Sequence, residues 1–162
     1  MIAGAMKRIA IVFALSALLV TGVSPTTASA AGETQVTAAA RGLFPANSSF
    51  NGIPLSGSTF GLGSVLDGIG GAVGDFEIVL AGTTPLGQPQ DITLIGKVSG
   101  GTVNDVGNVT ITGTGTLDMG DGSLPLSVPF AAVVTLDGLQ LTIGTTALPT
   151  QALSEGSVFI GP

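Results

Sequence analysis

Apolar or small residues alternate with hydroxyl-bearing ones along VTITGTGTLDM. Val109, Ile111, Gly113, Gly115, Leu117 and Met119 fall on one side, and Thr110, Thr112, Thr114, Thr116 and Asp118 on the other. A period of two is that of a half-buried β-strand. A hairpin tip at Asp121-Gly122 sets Met119 opposite Leu124 and Leu117 opposite Leu126. The same register sets Gly115 opposite Val128, Gly113 opposite Phe130, Ile111 opposite Ala132 and Val109 opposite Val134, so one continuous face is apolar or glycine. A slip by one residue would turn the threonines into the core. Mid-strand glycines weaken a strand unless something covers them, and the Phe130 ring lying across Gly113 supplies that cover. A second tip at Asp137-Gly138 sets Leu136 opposite Leu139, Val134 opposite Leu141 and Ala132 opposite Ile143. Val109–Gly144 is thus expected to form a three-stranded meander. Pro125 and Pro129 remove ladder donors from its middle strand, so a bulge, or a turn wider than two residues near Asp121, is also expected.

The same alternation marks Asp75–Gly82, where Phe76, Ile78 and Leu80 share a side, and Asp91–Gly100, where Ile92, Leu94 and Val98 do. Thr83–Gln90, with Pro85 and Pro89, reads as a loop, and Gly100–Asn108 as a turn region. Phe50–Gly74 is glycine-rich, with short strands expected around Ser58–Leu66, and Gly156–Ile160 is expected to pair back as a last strand. Residues 31–49 read as a poorly structured lead-in with at most one edge strand. The fold class is all-β: residues 50–162 form a single domain of about seven to nine short strands, an antiparallel β-sandwich or a small β-barrel. No internal repeat points to a propeller or solenoid.

Residues 1–30 carry a different pattern. Lys7 and Arg8 precede the apolar run Ile9–Val20, and Ala28-Ser29-Ala30 is a small-x-small site. This is the form of a secretory signal peptide cleaved after Ala30, with Met1 and Met6 both candidate starts. The apolar run falls short of the roughly 20 residues that span a bilayer, so no membrane span is expected in the mature chain.

Export changes how the charges count. All ten acids but only two cations, Arg41 and Lys97, lie in 31–162, so two against ten leaves −8, against −6 for the whole chain. Binding phosphate needs clustered Lys and Arg, so nucleic acid is not an expected partner. The chain has no Cys. Stability must therefore come from burial and backbone pairing, although an exported protein could have used disulfides.

The inventory for catalysis is thin. Without His, Cys or Tyr, the usual general bases and nucleophile-activation schemes are missing, and no enzyme is expected. Glu77 and Lys97 are expected to form a cross-strand ion pair. Metal chemistry has weak calcium candidates in Asp118 and Asp121, two carboxylates on a glycine-rich turn, with Asn104, Asp105 and Asn108 as a second oxygen-rich loop. Neither has the ligand spacing of an EF-hand, and Asp-Gly at a hairpin tip already has a structural reason. The threonine row resembles a strip of the lattice on ice-binding proteins, but its expected neighbours Ser127, Pro129, Ala131 and Val133 do not continue it. The expectation is therefore an exported, non-catalytic β protein without cofactor, acting as a cell-surface, extracellular-matrix or self-assembling module. Its partners would be itself or other surface components. The alternative is a small β-barrel carrying an apolar, lipid-like ligand, and ice or calcium binding is a more distant one.

Overall fold

The computed structural model describes residues 32–162 except residue 105; the signal-peptide expectation for 1–30 lies outside the described residues. The elements in order are β1 (Thr34–Leu43), β2 (Ser49–Phe50), β3 (Ile53–Leu66), β4 (Gly71–Thr83), β5 (Pro89–Val103), β6 (Val109–Asp118), β7 (Leu126–Val134), β8 (Gly138–Ile143), β9 (Thr146–Ala147) and β10 (Gln151–Gly161). The chain is all-β, and its strands make one antiparallel sheet. The main strands are longer than expected, with β5 reaching 15 residues.

The pairings run in a closed cycle. From β3 to β8 each main strand pairs with the next, β10 pairs β8, and β1 pairs β10 on one side and β3 on the other. A sheet that returns to its own first strand is a barrel, here with eight strands in the ring and β2 and β9 as short side pairings, rather than two facing sheets. The segment expected as a lead-in is β1, which is paired on both sides and so is not an edge. Its small-residue alternation puts Val36, Ala38 and Ala40 inside.

The β6–β7 register is the expected one from Val109 opposite Val134 to Leu117 opposite Leu126. The expected Met119–Leu124 pair does not form, because β7 starts only at Leu126 and the connection is wide. Leu124 and Leu126 are accordingly exposed. The second hairpin is two residues out of the expected register: Val134 faces Leu139, Ala132 faces Leu141 and Phe130 faces Ile143. The backbone N–H of Thr135 donates to the Gly138 carbonyl at 3.0 Å, so the tip is Leu136-Asp137 and Leu136 is exposed. The shift keeps the same face inward, because it is an even number of residues.

The interior is packed with aliphatic side chains and with Phe44, Phe50, Phe60, Phe76 and Phe130, of which two stack on each other. Phe76 on β4 and Phe130 on β7 stack with ring centroids 5.2 Å apart and an interplanar angle of 22°. They reach each other across the glycines of β5 and β6. A Cβ at Gly96 would come 2.6 Å from the Phe130 ring, and one at Gly113 would come 2.8 Å from it and also run into the Lys97 carbonyl oxygen. Gly115 is closed by other groups, the Leu94 side chain and the Ile95 carbonyl. The space these glycines leave is filled by the protein's own rings and backbone.

Candidate functional site

The charges and the threonine row fall on the outer wall, while Ser58, Ser64 and Gln151 are among the few polar side chains inside. Thr112, Thr114 and Thr116 are exposed and Thr110 is half-buried. Their β7 neighbours are Val133, Ala131, Pro129 and Ser127, as expected, so the hydroxyl row stops at the strand boundary. On its other side the row meets Thr102, Gly100, Lys97 and Ile95. Lys97 pairs with Asp75, its register partner, and not with Glu77, which lies opposite Ile95. Both members of that pair are largely exposed, where such pairs contribute about 0–1 kcal/mol.

The calcium candidates lie on the wide β6–β7 connection. Oδ1 of Asp118 accepts the Gly120 N–H at 2.9 Å, and Oδ1 of Asp121 accepts the Ser123 N–H at 2.9 Å. Each carboxylate closes its own turn, with Gly120 and Gly122 in the left-handed region at φ 65° and 85°. The Ser123 hydroxyl beside Asp121, followed by the Ser123 backbone N–H, holds its carboxyl below the ordinary value. Among the described residues no three His, Cys, Asp or Glu side chains gather as a metal would require. In the second oxygen-rich loop, Oδ1 of Asn104 accepts the N–H groups of Val106 and Asn108 at 3.2 and 2.9 Å. Asp105 lies outside the described residues.

Two clefts open near the turns of the ring. One, of about 340 Å³, is lined by Thr34, Leu66, Ile69 and Val103 among others and holds no titratable side chain. The other, of about 380 Å³, lies between β10 and the tips of the neighbouring hairpins, where Val106, Leu136, Asp137 and Ile160 meet. It exists because the ring is joined there by few bonds. β10 pairs β8 only through Gln151 and Ala152, and the last contact is the Leu153 N–H donating to the Asp137 carbonyl at 2.9 Å. Past Leu153 the strand pairs with β1 alone among the described residues.

Two features escape sequence reasoning. The Ser58 hydroxyl donates to Oε1 of buried Gln151, a polar clasp between β3 and β10. Gly42 leaves room for it, since a Cβ there would lie 2.9 Å from Cδ of Gln151. The half-open β10 edge is the second; its only advance signal is the run Ser157–Gly161, which lacks any charge. No protein-family model, no curated protein and no solved structure matches this chain.

Proposed function

We propose that this chain is an exported, non-catalytic β protein whose outer wall makes it a cell-surface, extracellular-matrix or self-assembling interaction module. The observation that carries the reading is the filled interior. Phe130, stacked on Phe76, covers Gly96 and Gly113, and Leu94 with the Ile95 carbonyl closes Gly115, so the glycines that could have opened a lumen are filled, which leaves the outside for contact with other molecules. That outside is mixed: Thr112, Thr114, Thr116, Asp75 and Lys97 face out beside exposed Val65, Val73, Ile95 and Phe159, so charges and hydroxyls interrupt what in a membrane barrel is an apolar outer band. The absence of His, Cys and Tyr from the sequence argues in the same direction against catalysis.

The ring closure gives some weight to a second reading, a carrier for an apolar ligand, with the cleft at Leu66, Ile69 and Val103 as its mouth. The two readings separate by co-sedimentation with isolated envelope fragments of the producing cell and by solvent extraction of the purified protein. Saturable co-sedimentation, or self-association, with an empty extract is expected. A co-purifying lipid, with neither envelope binding nor self-association, would replace the first reading by the second.

A further inference from the structure

The unpaired side of β10 is an interrupted ladder. Beyond Leu153 the strand runs to Gly161 with β1 on one edge and no described strand on the other. Exposed backbone N–H and C=O groups are a template for another strand, and proteins usually blunt such an edge with Lys, Pro, a bulge or a covering element; β10 has a bulge at Ser154 and a left-handed Gly156, and its regular part begins after them. Here the run Ser157-Val158-Phe159-Ile160-Gly161 contains neither Lys nor Pro. Phe159 is 55 % exposed on its outer side, while Val158 and Ile160 only partly join the core on its inner side.

Two observations select the occupant. The first is charge. The chain as a whole is acidic, at −6, and copies of it should repel one another. On β10, however, the single ionised side chain, Glu155, is 3.5 Å from Arg41 on β1, so the strand itself carries no uncompensated charge, and the flanking acid is Asp137 across the cleft from Ile160. The second is self-complementarity. In an antiparallel pairing of two β10 strands about a two-fold axis at Val158, Ser157 of each copy faces Phe159 of the other, and Gly156 faces Ile160. Phe159 and Ile160 then each meet a small residue, Val158 meets its twin on the axis, and Glu155 faces Gly161 rather than its twin.

We infer that the free edge of β10 is a homodimerisation site, at which a second copy of this chain adds its own β10 antiparallel and continues the sheet from one barrel to the next. The inference rests on the reading of the chain as an interaction module and names the partner. A contact of one strand pair is small beside a standard interface, so association in the micromolar range, about 1–50 µM, is expected.

Sedimentation velocity of the purified protein from a few to about 200 µM tests it, together with Ser157→Lys on the edge and Thr116→Lys on the far wall. The expected result is a monomer–dimer equilibrium that Ser157→Lys weakens roughly tenfold or more and Thr116→Lys leaves unchanged, both variants keeping the parent's far-UV circular dichroism. Amide exchange in Val158–Ile160 should also slow as dimer forms. A monomer throughout the range overturns the inference. A dimer indifferent to Ser157→Lys overturns it too. Envelope co-sedimentation is scored separately, so the module reading can survive loss of the dimer.

Discussion

Replacing Phe130 by Ala removes the ring on which the middle of the barrel closes. Phe130 is 3 % exposed, stacks on Phe76 and lies against the backbone of Gly96 and Gly113. Its loss forfeits a transfer free energy of about 1.5–3 kcal/mol. It also empties on the order of 100 Å³, which at ~24 cal/mol per Å³ adds up to about 2.4 kcal/mol. Around the void, the backbone of Gly96 and Gly113 has no side chain to move in, which leaves Phe76 and Ile143 to relax into it. The expected cost is about 3–5 kcal/mol. Guanidinium unfolding followed by far-UV circular dichroism measures it, since the chain has no Trp or Tyr for fluorescence. A second variant makes the cause specific. Gly96→Ala places a Cβ 2.6 Å from the Phe130 ring, so it should cost clearly less in the Phe130→Ala background than alone, a coupling of about 1 kcal/mol or more. A loss below about 1 kcal/mol for Phe130→Ala, or strict additivity with Gly96→Ala, would refute the ring-over-glycine account.

Other substitutions test other joints of the structure. Leu124→Ser and Leu126→Ser, in exposed positions, should each change stability by no more than about 0.5 kcal/mol by the same unfolding assay. Gln151→Ala leaves the buried Ser58 hydroxyl without its acceptor and should cost about 1–3 kcal/mol, whereas Ser58→Ala with Gln151→Leu should recover part of it. Asp121 has a depressed pKa because of its Ser123 partners. Its contribution is therefore present above the ordinary 3.8 and lost as pH falls through the lower folded value. Ser123→Ala should move the Asp121 carboxyl titration, followed by carbon NMR, upward toward 3.8.

The parts of the fold that a sequence can reveal are those set by local alternation. The β6–β7 register follows from period-two patterning and from the match of Phe130 to Gly113, both within about 25 residues of chain. The β7–β8 register does not, because a shift of two residues leaves the same side chains inward, and only the Thr135–Gly138 bond decides where the tip falls. β1 hides for a different reason: QVTAAARGL sets alanine on both faces, so burial contrast is faint. Its partners are also remote, Arg41 meeting Glu155 across 114 residues. The ring closure and the clasp of Ser58 with Gln151 depend on such distant pairings. Asp118 and Asp121 were visible as turn carboxylates, and in the structure each serves its own turn.

The filled interior is the claim on which the functional reading stands, and native mass spectrometry of the protein isolated without organic solvent addresses it most directly. The account predicts the mass of the bare chain, with a second peak at twice that mass as concentration rises. A bound apolar molecule retained in stoichiometric amount would contradict it.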